Sequence, residues 1–424
     1  MLRLIYTALL YVAAPLAFAV LLWRGMRDPL YRDRRGERFG FSRTKLDASI
    51  WVHAVSVGEV QAAAALIRDL QRRFPQSPLI VTTATPTGAQ RVRALFPQGV
   101  HHAYLPYDLP GAVRRFLERI RPRIAVILET EVWPNLYREC GRRQIPIVLA
   151  SARLSEKSVR RFRRIAGLFR DALNQGLVIG AQTRSDADRF IVVGAAPART
   201  HVTGNIKFDL ETPVEARARG EALRTGQFPG RFVWVAGSTH EGEEDVILEA
   251  HRGLLAARAD SLLILVPRHP NRFERVRQWL SGQQVTFACR SRGEAVTPDT
   301  QILLADTLGE LLMLYAAADV AFVGGSLVPI GGHNLLEPAA LARPILTGPQ
   351  NFNAPDIARL MLESGAALQV ESAPGLAQAL ADLAANPGKR SQMGQVALAM
   401  LESNRGALAR VMALVEETLH RRAQ

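Results

Sequence analysis

From residue 50 onward, short apolar runs alternate with longer stretches of mixed character. Residues 50–55, 79–83, 124–128, 147–150 and 178–181 are apolar and rich in β-branched side chains, the composition of strands buried on both faces. Helix-like segments fill the intervals, so the pattern predicts a parallel sheet with right-handed crossovers. A loose stretch at 211–231, with Pro213 and Pro229, breaks the rhythm and reads as a linker. Alternation resumes at 232–236, 262–266, 302–304, 320–323 and 344–346. Two similar α/β domains are expected to face each other across a cleft, over residues 25–210 and 232–424. The last helices, apolar at Leu376, Leu380 and Leu383 and again at Leu408, Val411 and Leu414, can pack back on the first domain. Ligands of such sheets bind beyond the C-terminal strand ends.

Residues 4–23 form an uncharged run of about the 20 residues that cross a bilayer. Ala17-Phe18-Ala19 imitates a signal cleavage site, but the run continues to Trp23, and an uncleaved anchor over residues 1–24 is the better reading. Arg24, Arg27, Arg32, Arg34, Arg35 and Arg38 crowd its C-terminal flank, which leaves the body in the cytoplasm. Pro15 leaves room for a tilted or partly inserted helix.

Charge sharpens the picture. Residues 1–200 hold 32 Lys and Arg against 15 Asp and Glu, whereas residues 201–424 hold 21 against 24. The basic half carries no nucleic-acid recognition motif and little aromatic interleaving, so a membrane surface or phosphorylated substrate is expected and no nucleic acid. A hydrophobic content of 48% over 424 residues excludes a disordered or fibrous class. Cys140 and Cys289 stand far apart with no CxxC spacing, so no disulfide framework or cysteine zinc site is implied.

Candidate chemistry lies at the strand ends. In 320–340, VAFVGGSLVPIGGHNLLEPAA, an apolar strand enters two Gly-Gly turns and then a helix with Asn334 and Glu337 in its first turn. Glycines admit an anion close to the backbone, and a helix N-terminus holds it. A carboxylate beside that phosphate must turn toward sugar hydroxyls, which suggests a nucleotide. Asn334 and Glu337 also spell a capping box.

Strand 50–55 ends in Ser56-Val57-Gly58-Glu59, where Glu59 is either a general base or the partner of Ser56 in another capping box. Glu129 and Glu131 follow strand 124–128 two residues apart, a spacing that points both carboxylates to one side of an extended chain. One structural ion pair with an arginine plus one solvated acid is the plainer alternative. Arg268, after strand 262–266, suits an anion, and Lys207 precedes the linker. Asp186 and Asp188 mimic a metal-binding DxD but sit where a capped helix would start behind Ser185, so no metal is expected. Lys157, Arg160, Arg161 and Arg164 oppose Val159, Phe162, Ile165 and Phe169 on an amphipathic helix whose basic face is either an ordinary solvated one or, given the anchor, suited to anionic headgroups or acceptor phosphates.

Taken in order, GERFG at 36–40, HAVSVGE at 53–59, ETEVWPN at 129–135, SARLS at 151–155, GNIKFD at 204–209, GSTHEGEE at 237–244, PRHPNRF at 267–273, GGSLVPIGGHNLLEP at 324–338 and GPQNFN at 348–353 resemble the Kdo (3-deoxy-D-manno-oct-2-ulosonic acid) transferases of lipopolysaccharide synthesis. The resemblance implies a GT-B architecture of two Rossmann-like domains, with a lipid A precursor (lipid IVA) in the first and CMP-Kdo in the second. It implies an inverting transfer at the cytoplasmic face of the inner membrane, without cofactor or metal. Glu59 would be the general base. Glu131 or Glu129 would support the acceptor side, Glu131 counted with Glu59 as catalytic and Glu129 with Gly58 as acceptor-binding. Arg268, Gly325, Ser326, Asn334 and Glu337 would hold CMP, with Lys207 and Gln350 near the donor's phosphate or carboxylate. A nucleotide-sugar 2-epimerase could share the architecture but needs no anchor, and a noncatalytic nucleotide sensor would tolerate loss of Glu59.

Overall fold

Two all-parallel sheets of seven strands organise the chain. The computed structural model describes residues 2–164, 166–173, 175–210 and 214–423. Ile165 and positions 211–213 of the expected linker lie outside the described residues. One compact unit comprises residues 1–209 with 404–424, the other 210–403.

The first sheet contains β1 (Ser49–His53), β2 (Leu79–Thr83), β3 (Val100–Tyr104), β4 (Pro122–Leu128), β5 (Ile147–Ala152), β6 (Leu177–Ala181) and β7 (Thr200–Val202), in the order β3-β2-β1-β4-β5-β6-β7. The second contains β8 (Phe232–Thr239), β9 (Ser261–Pro267), β10 (Phe287–Cys289), β11 (Ile302–Leu304), β12 (Val320–Val323), β13 (Ile345–Thr347) and β14 (Ala367–Gln369), in the order β10-β11-β9-β8-β12-β13-β14. Inner strands such as β1, β2, β8 and β9 are buried at every position, because helices cover both faces of each sheet. Trp51, Phe116 and Tyr137 fill one side of the first sheet, and Trp234, Phe232 and Phe322 one side of the second.

Strand order reverses between β1 and β4 in the first sheet and between β8 and β12 in the second. Loops leaving those strands diverge and leave a crevice at the C-terminal strand ends. The residues singled out by sequence fall largely in these loops.

The terminal helix Ala407–Ala423 belongs to the first unit. Val411, Met412 and Val415 join Ile50, Val126 and Val148 in one cluster, and the Asp209 carboxylate caps the helix by accepting the N–H groups of Gly406 and Leu408 at 2.7 and 2.6 Å. The stretch expected to be a loose linker instead carries the helix Val214–Gln227 inside the second unit. Its Glu, Ala and Arg residues are good helix formers, and Gly220 lies so close to Met313 and Ala316 that an added methyl would meet the Met313 carbonyl oxygen at 2.6 Å. Helix Leu2–Arg27, with a mean hydropathy of 2.2 over its apolar window, is long and apolar enough to cross a membrane. Cys140 and Cys289 are both free and buried.

Candidate active site

At the β1/β4 reversal, Ser56 caps the short helix Val57–Ala62. Glu59 is half-buried there and turns back to accept the Val55 N–H at 2.9 Å and the Ser56 hydroxyl at 3.3 Å. The capping geometry is therefore real, yet it does not make the acid inert. Burial pushes the Glu59 carboxyl up to about 7 against the pull of the Val55 N–H. The charges of Glu129 and Glu131 raise it further, and Lys207 opposes them. A carboxyl poised near 7 can take a proton at neutral pH.

Glu129 and Glu131 do not lie on an extended strand, so the alternation expected of them does not hold. Glu129 sits beyond β4 at φ +56°, an uncommon conformation for a residue with a Cβ. Its N–H donates to the Ala150 carbonyl at 2.9 Å, and its carboxylate meets the Lys207 ammonium at 2.6 Å. The expected ion pair thus exists with a lysine rather than an arginine. Lys207 belongs to the first unit. Burial also raises the Glu131 carboxyl, with the Trp133 indole opposing and Glu129 reinforcing. Gly58 is exposed beside Glu59.

The second unit corrects the phosphate reading. The N–H groups of Gly325, Ser326 and Leu327 donate to the Glu243 carboxylate at 2.7, 3.0 and 3.0 Å, and His240 N–H adds a fourth bond at 2.9 Å. A buried acid from the turn after β8 occupies the concavity that the glycines were expected to offer a phosphate. The Ser326 hydroxyl is likewise buried, bonded to the Val323 carbonyl and Gly348 N–H. The helix carrying Glu337 is only Leu336–Ala339, too short to supply the expected dipole. Asn334 accepts the Leu336 N–H at 3.1 Å and donates to Glu337 at 3.3 Å. Gln350 N–H donates to the Ser326 carbonyl at 2.9 Å.

Around this loop, the sequence reading missed His240 and His333. His240 and His333 bring their Nε2 atoms to 2.8 Å, so one donates and the other accepts, and His269 meets the His240 ring edge-on at 5.3 Å. Burial first, then the nearby histidine and arginine charges, hold His240 down to about 4 and His333 to about 3. Arg268 is exposed and contributes to that cationic field. Position at the strand ends was the available signal: His240 and His333 follow β8 and β12, the two strands at the reversal.

The DxD look-alike is used for folding. Thr183, not Ser185, caps its helix, and Asp186 accepts from Thr183 Oγ1 at 2.6 Å and Leu154 N–H at 3.0 Å, while Asp188 pairs with Arg184. Among the described residues no cluster of three or more His, Cys, Asp or Glu could hold a metal. Two cavities of about 490 and 450 Å³ open around Ile145 in the first unit, lined by residues such as Arg121, Arg143, Gln175 and Arg199, and none of the candidate residues lines them.

Residues 33–210 match the family described as 3-deoxy-D-manno-octulosonic-acid transferase (kdotransferase). A 3-deoxy-D-manno-octulosonic acid transferase of Haemophilus influenzae is 41% identical over 423 residues, covering 99% of both chains. The chain belongs to the Kdo transferase family. A Bordetella pertussis member is 38% identical, over 98% of this chain and 99% of that one. The enzyme is accordingly a Kdo glycosyltransferase. Its two Rossmann-like domains make it GT-B in fold, and a putative UDP-N-acetylglucosamine 2-epimerase from Listeria monocytogenes shares that fold at 14% identity, with a TM-score of 0.57 over 88% of this chain and 97% of that one.

Proposed function

We propose that this transferase moves Kdo from CMP-Kdo to a lipid A precursor, lipid IVA, with inversion, at the cytoplasmic face of the inner membrane. The carrying observation is Glu59, raised to about 7 beside Glu129, Glu131 and Lys207 at the strand reversal of the first domain. As the acceptor hydroxyl oxygen bonds to the anomeric carbon, that carbon's bond to the phosphate oxygen breaks. The hydroxyl proton passes to Glu59 and the electron pair leaves with CMP. Lys207 keeps Glu129 in place and tempers the rise at Glu59; Glu131 and Gly58 complete the acceptor side.

In the second domain, Arg268, Asn334, Glu337 and Gln350 serve the donor, joined by His240 and His333. The exposed Arg268 cation suits a phosphate that gains charge as the bond breaks. Helix Leu2–Arg27 and the basic first half provide the membrane attachment. Incubating the enzyme with CMP-Kdo formed in situ and a tetraacylated lipid A precursor should yield the Kdo adduct by mass spectrometry, with inverted anomeric configuration by NMR. Absence of any adduct from the folded enzyme would sink the reading.

A further inference from the structure

Helix Leu2–Arg27 is partly covered along one stripe, half-buried at most of its positions and buried at Leu21 and Gly25. The positions shielded from solvent run from Arg3 through Leu10, Ala14, Ala17 and Leu21 to Gly25, a three-to-four spacing that marks a single helix face. What shields them is the first domain. Leu2 lies 3.4 Å from where a methyl on Gly167 would be. The Tyr6 hydroxyl donates to Asp108 at 3.0 Å, the Thr7 hydroxyl to Asn135 at 3.1 Å, and Phe18 meets the Phe39 ring edge-on at 5.8 Å. The opposite stripe is apolar and open: Leu4, Leu9, Val12 and Leu16 are each 64–79% exposed.

A spanning helix cannot keep these contacts. With Arg24 at the cytoplasmic surface, Thr7 would lie about 26 Å away along the helix axis, at 1.5 Å per residue, across most of a hydrocarbon layer of about 30 Å. Asp108 and Asn135 belong to the folded domain, and both are only 3% exposed. Taking that domain into hydrocarbon to follow Thr7 would strand its polar groups.

We infer that helix Leu2–Arg27 is monotopic, seated lengthwise on the first domain while its open apolar stripe lies in one leaflet of an anionic bilayer. Aromatic and cationic groups mark the water boundary: the Arg27 guanidinium sits 4.1 Å from the Trp23 ring centroid and that of Arg115 sits 4.4 Å from the exposed Phe41 ring, as interfacial side chains do. Asp108 also accepts the N–H groups of Asn135 and Leu136 at 3.0 and 2.7 Å, which begin the helix after Glu129 and Glu131. The anchor therefore holds the proposed acceptor loop against the leaflet surface. This inference rests on the proposed membrane attachment but not on the transfer chemistry.

Cysteine pairs test it in the full chain, in pelleted native membranes. Thr7→Cys with Asn135→Cys, and independently Leu2→Cys with Gly167→Cys, should cross-link under mild oxidation, well above an outward control of Val12→Cys with Asn135→Cys. Leu2→Cys alone should escape a membrane-impermeant maleimide added to intact spheroplasts. Failure of both pairs together with labelling from outside would establish a spanning helix and overturn the inference. Cross-linked protein found free of the pelleted membranes would overturn membrane attachment, and with it the seating in a leaflet.

Discussion

Glu243 accepts the backbone N–H of Gly325 at 2.7 Å, so an internal carboxylate fills the anion nest of the glycine loop after β12. The loop is thereby held by the chain itself, and as the proposed donor site it would waste less binding energy on ordering. Glu243→Gln would set an amide NH₂ among the four N–H donors and leave some without an acceptor. Stability should fall by ~2 kcal/mol, the usual cost of buried groups left unpaired, and CMP should bind more weakly. Thermal melts and calorimetry with CMP read both effects, and an unchanged melting temperature would show that the nest needs no carboxylate.

Arg268 and Arg272 are four residues apart but make opposite predictions. Arg272 donates to both Glu244 oxygens at 2.9 Å in a buried pair and to the Thr239 carbonyl, so Arg272→Ala should destabilise the fold by ~3 kcal/mol, the usual cost of a buried charge left alone. Arg268 is exposed; Arg268→Ala should leave the melt unchanged while weakening CMP binding by ~1–3 kcal/mol, the worth of a charge-assisted hydrogen bond. The assignment fails if the two variants exchange phenotypes.

The pair also marks what sequence could and could not tell. Both arginines stand in one motif after β9, and only the distant Glu244 decides which is structural. The same limit explains the strands. β3, β7, β10 and β14 were not foreseen, and all four are sheet edges, where exposed positions such as His101 and His201 dilute the apolar run. Inner strands, buried on both faces, wrote themselves into the sequence. The glycine loop was legible as a tight turn, but its occupant, Glu243, comes from 82 residues upstream. Glu59 was legible as a residue in a place, whereas its raised pKa depends on burial and on Glu129, Glu131 and Lys207, which no local pattern reports.

Lys207 provides a test of that coupling. A general base acts when ionised, and a carboxyl near 7 ionises as pH rises, so transfer should fall about tenfold per unit well below pH 7. Lys207 favours the ionised form of Glu59. Lys207→Met should therefore push Glu59 higher and move the acid limb of the pH–rate profile to higher pH. A limb that stays in place would mean that Lys207 does not act on the base.

One substitution separates the helix-capping bonds of Glu59 from its proposed role as general base. Its carboxylate accepts the Val55 N–H at 2.9 Å, a bond that the amide oxygen of Gln can also accept, so Glu59→Gln should fold and bind CMP normally. The amide cannot take a proton from the acceptor hydroxyl. If proton removal accompanies bond formation, transfer should fall by ~10²–10⁴-fold, the range for a lost general base. The drop should appear in kcat, and the acid limb near pH 7 should vanish with it, because the group that titrates is gone. A Glu59→Gln enzyme transferring Kdo at close to the native rate would leave Glu59 a helix cap and move the search to Glu131, the other raised carboxyl beyond β4.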